Sequence, residues 1–468
     1  MNATPPLILS CLLAGAVGLG HASEGDRDPA FGNDGIAVLS PPVADFYRPM
    51  GPIVQPDGKI LACAWGLSAD GTRYSQFVYR LDGNGGVDLG FGESGRVDLG
   101  SESRACFGLG LQGDDKIVVA YVAHGNGTVP AQATEVRIMR LDVVGRPDPV
   151  CGTAGTANHL LPAYAVPSGM AIQADGVIVL GFDLFPNRLG LARIRIDGSA
   201  DTQFGSNGRM EIEFPSARDA ILSLSEVRID GHQRILAIGT FDFGNEGAHE
   251  FIAARVLHDG RPDISFGTSG RVAISFPGSS AYARKVLLQD DGRIILAGHA
   301  YQPAQWVGPS DDNIAVVRLN ENGALDPSFG EGGRKVISID LIENGTDAVR
   351  GGLIRSDGKL VLVGTAASSL YPYAQGLLLQ LEEDGDADVT FGANGVLTFD
   401  VVEGDQWESF YGIEVQGSSY IVLGNALDFY NQSLQFAVRI QGSAEAVFPV
   451  RSTRAPPFPA SRIRRTVR

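Results

Sequence analysis

The sequence predicts an all-β protein: a seven-bladed β-propeller made of four-stranded antiparallel blades. The first observation behind this prediction is the pattern Asp-x-x-Phe-Gly-x-x-Gly, which recurs from Asp28, Asp88, Asp148, Asp201, Asp263, Asp326 and Asp388. The second is the spacing, because successive copies lie 60, 60, 53, 62, 63 and 62 residues apart. Self-similarity at such a period indicates stacked supersecondary units, and four short strand patterns per unit are typical of a propeller blade.

Turn chemistry explains each residue of the repeated pattern, so we interpret it as a structural corner. An Asp side chain accepts hydrogen bonds from backbone amides two residues on and starts a tight turn. The Phe carries apolar surface into the gap between units, and the glycines permit positive φ. Cys151 replaces Phe in the third copy, which is also followed by the shortest step, and Gly155 to Leu161 is a weak strand pattern. We therefore expect an irregular blade there.

The unit that begins at Asp263 illustrates the predicted blade. Strand patterns occupy residues 270–276, 285–289, 293–297 and 314–319. Asp291-Gly292 separates the second and third of them and is a hairpin signal. By resemblance to other propellers, the strand before the Asp-Gly turn is expected to be the innermost of its blade, and the strand after the corner the outermost.

The strand count predicts how the ring closes. A single strand, Ile36 to Leu39, follows the first corner, while the last unit lacks its outermost strand. The N-terminal strand should complete the last blade, which removes open sheet edges. Residues 24–445 then form one propeller domain, and the Pro- and Arg-rich segment 446–468 is expected to be disordered.

The first 22 residues predict a secretory signal peptide. An apolar run from Leu7 to Gly20 precedes Gly20-His21-Ala22, which is an acceptable cleavage site. The run is too short for a membrane span, and no other stretch is long and apolar enough. We therefore expect a secreted, periplasmic or cell-surface protein without a transmembrane segment.

Composition excludes one class of partner. The formal net charge is −17, whereas binding of nucleic acid requires Lys and Arg to neutralise phosphates.

The chain after the signal segment has three cysteines, Cys63, Cys106 and Cys151. An odd number leaves at least one unpaired. Either Cys63 and Cys106 form a bridge, or all three are free thiols.

The units resemble the delta-60 repeats of bacterial exported proteins. The resemblance rests on Gln55 to Leu61, Val317 to Gly323 and Leu325 to Val336, and it extends over most of the chain after residue 22. It implies an exported repeat protein of bacterial origin, and it implies no particular activity.

Function is expected in the loops opposite the corners, because these differ in every unit and variable loops on a rigid scaffold commonly bind ligands. Aromatic and acidic residues in and beside these loops suit a glycan or protein ligand. The candidate ligand-binding residues are Tyr47, Trp65, Tyr301, Trp306, Asp311, Asp312, Tyr371, Tyr373, Trp407 and Tyr430. The alternative is that the aromatic side chains only pack the loops against the blades.

One candidate metal site appears. Asp384, Asp386 and Asp388 alternate like the first ligands of a calcium loop, but the following Gly and Glu are missing and the segment overlaps a corner. No other cofactor is expected.

Motifs of catalysis are absent from the sequence. It has no His-Glu-x-x-His, no Gly-x-Ser-x-Gly, and neither a phosphate loop nor a dinucleotide fingerprint. We therefore favour a monomeric, non-enzymatic binding scaffold for a protein or glycan. The alternative is a secreted hydrolase or lyase with acidic residues at the mouth of the central channel.

Overall fold

The computed structural model describes residues 24–39, 43–44, 48–67, 74–100, 103–123, 133–185, 187–214, 221–243, 249–301, 312–339, 345–367, 374–401, 407–427 and 432–442. Every helix or strand among these residues is a β-strand, so the predicted all-β class is confirmed. Within the described ranges there is no helix with the length and apolar character needed to span a bilayer.

The strands fall into consecutive groups that follow the sequence repeat. Group one is β3 (Met50–Val54), β4 (Ile60–Leu67), β5 (Tyr74–Leu81) and β6 (Arg96–Asp98). Group two is β7 (Ser103–Leu111), β8 (Ile117–Ala123), β9 (Ala133–Leu141) and β10 (Thr156–Ala163). Group three is β11 (Ala165–Ile172), β12 (Ile178–Leu184), β13 (Arg188–Ile194) and β14 (Arg209–Glu213). Group four is β15 (Ile221–Ile229), β16 (Ile235–Asp242), β17 (Glu250–Val256) and β18 (Arg271–Ile274).

The remaining strands continue the same order. Group five is β19 (Ser280–Leu288), β20 (Ile294–Tyr301), β21 (Asp312–Leu319) and β22 (Arg334–Ile337). Group six is β23 (Thr346–Ile354), β24 (Leu360–Ala367), β25 (Ala374–Leu381) and β26 (Val396–Phe399). Group seven is β27 (Trp407–Gln416), β28 (Ser419–Leu427) and β29 (Gln432–Gln441), beside β1 (Ile36–Val38) and β2 (Val43–Ala44).

Strand pairing within each group is antiparallel. Groups one to four are separate four-stranded sheets. Groups five to seven belong to one larger sheet, in which single parallel pairings, Asp312 with Thr346 and Ala374 with Trp407, join one group to the next. Repeated four-stranded antiparallel sheets of this kind are consistent with a β-propeller.

The first strands of the groups contact one another in series. Each first strand contacts that of the following group, and β27 of group seven contacts β3 of group one. The N-terminal β1 pairs with β29, with Ile36 opposite Val438. Just before it, the Gly25 amide donates to the Gln441 carbonyl at 2.8 Å.

The repeated corner forms what we call the corner latch. In five of the seven groups, an Arg at the end of the third strand donates through Nε to the corner Asp, and its guanidinium lies 4.4 to 5.1 Å from the centre of the corner Phe ring. The pairs are Arg439–Asp28, Arg80–Asp88, Arg193–Asp201, Arg255–Asp263 and Arg318–Asp326, at 2.7 or 2.8 Å.

Each latch also reaches the next group. Arg255 donates through Nη1 to the Glu321 carbonyl of group five. The Phe266 ring packs on Gly323, whose φ of +84° admits a side chain only under strain and whose Cβ, if present, would lie 3.0 Å from that ring. Beside it, the Gly267 amide donates to the Asn322 carbonyl at 2.7 Å. The corner therefore joins neighbouring groups, as the sequence pattern predicts.

Two latches depart from this geometry. At the third corner Cys151 takes the place of Phe, and Arg140 turns its Nε to Gln112 at 2.6 Å while still pairing with Asp148. The following strand β10 is nevertheless eight residues long, so the weak strand expected there is a regular one, with a register shift only near its end.

At the seventh corner Gln380 replaces Arg. Gln380 donates to Asp388 at 2.7 Å, and Lys359 supplies the missing positive charge at 2.6 Å. Burial opposes ionisation of this carboxyl, but Lys359 and the hydrogen bonds from Thr390 and Gln380 outweigh it and hold the pKa of Asp388 far below its usual value.

The three described cysteines are free thiols. Cys63 is buried, and Cys106 packs against the same apolar cluster between groups one and two. Burial, followed by the neighbouring Cys106 thiol, raises the pKa of Cys63 well above its usual value. Cys63 therefore does not behave as a reactive thiolate in the structure.

Candidate functional site

Three arginines approach one another without a carboxylate partner among the described residues. Arg48 and Arg350 both lie over the Tyr411 ring, with 5.9 and 5.3 Å from each guanidinium carbon to the ring centre. Arg284 lies 5.6 Å from the centre of the Tyr282 ring. We call Arg48, Arg284 and Arg350 the arginine cluster.

The pKa values of Arg284 and Arg350 are lowered, in part by their like-charged neighbours. Loss of solvation and then Arg48 lower the pKa of Arg284. Loss of solvation lowers the pKa of Arg350 to about 10, and Arg48 and Arg284 add to the effect while Tyr411 opposes it. Uncompensated cations held together in this way create a strongly positive site, which favours an anionic ligand.

The backbone explains why these side chains meet. The first strands of groups five, six and seven each have a β-bulge at the same point, between Ala283 and Lys285, Val349 and Gly351, and Phe410 and Gly412. The extra residues are Arg284, Arg350 and Tyr411. A bulge redirects the side chain of its extra residue, and bulges are frequent beside functional sites. Three equivalent bulges thus direct two guanidiniums and a phenol to one place.

A histidine and two tyrosines border the cluster. The Tyr282 ring stacks on His299, with ring centres 5.2 Å apart, and runs nearly parallel to Tyr301 at 6.1 Å. Burial, and then Arg284 and Arg350, lower the pKa of His299 to about 3, so its imidazole is neutral at pH 7. The buried Nδ1 of His299 and the buried Nε of Arg350 have no hydrogen-bond partner in the part of the chain described.

A second charged group lies on the first strands of groups four, five and seven. Glu226 accepts hydrogen bonds from Arg228 and Lys285 at Oε1 and from the Val286 amide at Oε2, each at 2.8 Å. Burial alone would raise the pKa of Glu226, but Arg228 and Lys285 outweigh it and lower the pKa. Loss of solvation raises the pKa of Glu414 on β27, although Arg228 and Lys285 oppose this. Groups four, five and seven therefore interact electrostatically.

Of the three aromatic candidates that the structure describes, Tyr301 stacks on Tyr282, the ring beneath Arg284. Trp407 is half-buried, and its Nε1 donates to Ser409 Oγ at 3.0 Å. Trp65 is half-buried, and its backbone amide donates to Gln435 at 3.0 Å. The Asp312 amide donates to the Gly345 carbonyl at 3.2 Å. Six other candidates lie outside the described residues: Tyr47, Trp306, Asp311, Tyr371, Tyr373 and Tyr430.

The three aspartates of the predicted calcium site serve local contacts. Asp384 accepts the Asp386 amide at 3.1 Å, and Asp386 pairs with Lys335 at 2.6 Å. Asp388 is held in its corner latch. Across the described ranges, no group of three His, Cys, Asp or Glu side chains is placed to hold a metal ion. Calcium binding at these aspartates stays a prediction.

Sequence reasoning missed the arginine cluster. Arg284 and Arg350 each lie seven residues before the Asp of an Asp-Gly turn, Asp291 and Asp357, and Tyr411 lies seven before Ser418. This shared offset was a usable signal, because equivalent positions of a repeat occupy equivalent places in the fold.

Comparison with known proteins supports a propeller-repeat protein. A family profile described as "Domain of unknown function (DUF5122) beta-propeller" matches residues 55–91 and 289–329. These segments include two Asp-Gly turns and two corners of the repeat described above. A search of curated proteins gave no match.

Several solved structures are similar in outline. The polysaccharide lyase Uly1 has a TM-score of 0.47 at 8% identity, over 91% of this chain and 94% of that one. A polysaccharide lyase of family PL25, an ulvan lyase, has a TM-score of 0.48 at 12% sequence identity, over 90% of this chain and 95% of that one. The GH93 α-L-arabinofuranosidase of Fusarium graminearum, in complex with arabinobiose, has a TM-score of 0.42 at 8% sequence identity, over 73% of this chain and 95% of that one. At these scores the function has to be derived from the chain's own residues.

Proposed function

We propose that this protein is a propeller scaffold that binds an anionic ligand at the arginine cluster. The observation that carries the proposal is the meeting of three guanidiniums that lack a described carboxylate partner, in a chain whose net charge is −17. Arg48 and Arg284 are exposed and Arg350 is half-buried. Like charges held together without a counter-charge repel one another, so such a site is usually kept for a ligand of opposite charge.

The architecture we propose is a closed ring of seven blades, one for each strand group, within a single domain of residues 24–445. The serial contacts of the first strands, the contact of β27 with β3 and the pairing of β1 with β29 support closure. In a propeller the first strands line the central channel. The arginine cluster would then lie inside the channel, because Arg284 and Arg350 are the middle residues of β19 and β23.

A ligand with several anionic groups fits this site best. One carboxylate would neutralise only one of three guanidiniums, whereas an acidic glycan presents an anionic group on successive residues. Arg binds carboxylate and sulfate groups through paired hydrogen bonds, which are strong where water is partly excluded.

Calorimetric titration of the full chain with polygalacturonate and dextran sulfate, against neutral dextran, tests the proposal. We expect an acidic polymer to bind and neutral dextran not to bind. The double variant Arg284→Ala/Arg350→Ala should lose about tenfold or more in affinity, because two charged hydrogen-bond donors are removed. Arg261→Ala, at an exposed turn, is the matched control. Equal affinities of the double variant and the control would refute the site.

A hydrolase or lyase is the second candidate, and Glu414 is the observation that favours it. Loss of solvation raises the pKa of this carboxyl, as is common for a general acid. Glu226 suits that role less, since three donors hold it ionised. Turnover of acidic polysaccharides, lost in Glu414→Gln while binding is retained, would support catalysis. Absence of turnover on such a panel would leave binding as the function.

Export and the delta-60 relationship also belong to this proposal. The predicted signal peptide, residues 1–22, lies outside the described residues. N-terminal sequencing of the protein recovered from culture medium or cell envelope should begin after Ala22. An intact N-terminus on all of the protein would argue against processing.

A further inference from the structure

We infer that the arginine cluster recognises a sugar acid, a pyranose that carries a carboxylate beside hydroxyl groups, with His299 and Tyr301 as the residues that select the sugar. The inference rests on the proposed function. It adds the reason why this site would prefer a uronic acid residue to a simple anion.

The first step concerns the carboxylate. Arg350 is half-buried in a bulge, and its Nε–H has no acceptor among the described residues. Arg284 in the equivalent bulge carries no described ion pair either. A planar guanidinium donates two parallel hydrogen bonds to a carboxylate. The carboxylate of a uronic acid would give the buried Nε–H of Arg350 an acceptor and would pair with the exposed guanidinium of Arg284.

The second step concerns the hydroxyls. His299 adds no charge at pH 7, because burial and the two arginines keep it neutral. A neutral imidazole donates one hydrogen bond and accepts another. Its buried Nδ1 lacks a described partner beside the guanidiniums. A simple anion such as sulfate does not require a neutral imidazole beside it. A sugar hydroxyl next to the carboxylate can both donate a hydrogen bond to this imidazole and accept one from it.

The third step concerns the ring. Tyr282 and Tyr301 are half-buried, and their rings are inclined by only 17°. His249 makes a T-shaped contact with Tyr282, with 4.7 Å between ring centres, and supports this stack. Aromatic rings beside a few convergent polar groups are a common composition of a small-molecule site. A pyranose packed against Tyr301 would place its carboxylate toward Arg284, which lies over the Tyr282 ring.

The test compares digalacturonate, inorganic sulfate and the neutral disaccharide cellobiose by calorimetry on the full chain. We expect digalacturonate to bind about tenfold tighter than sulfate, because it adds neutral hydrogen bonds and ring contacts, and cellobiose not to bind. His299→Phe keeps a ring against Tyr282 but removes the nitrogens. It should weaken digalacturonate about fivefold and leave sulfate unchanged.

Tyr301→Leu should act in the same direction, and it keeps the inference testable if His299→Phe fails to fold by circular dichroism. Arg350→Gln should weaken both anions. Equal affinity of the wild type for sulfate and digalacturonate, or unchanged digalacturonate affinity in folded His299→Phe and Tyr301→Leu, would overturn the sugar-acid inference and leave anion binding intact. No effect of Arg350→Gln on either anion would overturn the proposed function itself.

Discussion

Arg318 donates through Nε to the Asp326 carboxylate at 2.7 Å, and both side chains are buried, with 2% and 9% exposure. The same guanidinium lies 4.9 Å from the centre of the Phe329 ring and donates to the Glu383 carbonyl of the following strand group. One side chain therefore joins a corner, an aromatic plug and a neighbouring sheet.

Replacing Arg318 with Met should cost about 3 kcal/mol of unfolding free energy, because it leaves Asp326 buried without its main partner. Urea denaturation measures this loss. Arg261 is the matched control, since its pair with Asp259 has the same 2.7 Å distance but exposures of 77% and 36%. Arg261→Met should change stability by less than about 0.5 kcal/mol. Similar losses of unfolding free energy in Arg318→Met and Arg261→Met would show that the buried latch pair stabilises the fold no more than an exposed ion pair does.

Phe204→Cys should reproduce at another corner the sequence that the third corner has naturally. Phe204 is fully buried under Arg193, so removing its ring should cost about 3 kcal/mol by leaving a cavity. Ile264→Cys is the control, because Ile264 occupies a corner but is 82% exposed. Equal denaturation midpoints of Phe204→Cys and wild type would mean that the corner ring is dispensable.

Asp183→Asn should stabilise the protein at neutral pH. Burial raises the pKa of Asp183 to about 6, although its Oδ1 accepts the Leu224 amide. With an unfolded pKa of about 3.9, the protonated carboxyl favours the fold below pH 4, and this contribution disappears as pH rises through 6. An amide keeps the acceptor and cannot ionise, so we expect a gain of about 2 kcal/mol at pH 7.5.

The gain should vanish at pH 4, where Asp183 is protonated in the wild type as well. Thermal midpoints at the two pH values provide the measurement. Asp197→Asn is the control, and it should lower the thermal midpoint at pH 7.5. Hydrogen bonds from Ser199 lower the pKa of Asp197, so its ionised form favours the fold. A gain in Asp183→Asn that did not depend on pH would contradict the assignment.

The Glu226–Lys285 pair should show strong coupling. Lys285→Met leaves the poorly solvated Glu226 with Arg228 as its remaining cationic partner among the described residues, and it should cost about 3 kcal/mol. Lys285→Met combined with Glu226→Gln should recover part of that loss, because the uncompensated charge is gone. A double-mutant cycle by urea denaturation gives the interaction energy. Additive single effects would mean that the two side chains act independently.

The sequence predicted the all-β class and the repeated antiparallel sheets because the corner motif is local. Asp28, Phe31 and Gly35 lie within eight residues of one another, and their spacing alone identifies a corner. The pairing of β1 with β29 was also predictable, by counting strands. These features depend on residue type and order, which a sequence displays directly.

The candidate site was not predictable in the same way. Arg284, Arg350 and Tyr411 meet because an extra residue bulges at the same point of three strands, and alternation of apolar and polar residues does not reveal a bulge. The neutrality of His299 depends on Arg284 and Arg350, which come from different strands. Tyr301 was predicted as an aromatic of a variable loop, but its neighbours are set by tertiary packing.

The pairing of Asp28 with Arg439 joins residues 411 positions apart. While the protein is being synthesised, the strand after Asp28 emerges from the ribosome early and must wait for nearly all of the remaining chain before its partner β29 exists. Its exposed backbone edge is open to wrong pairing throughout that interval, and contacts of such long range form slowly. The pairing of β1 with β29 therefore forms late in assembly, and until then the backbone edge of β1 stays open to other strands.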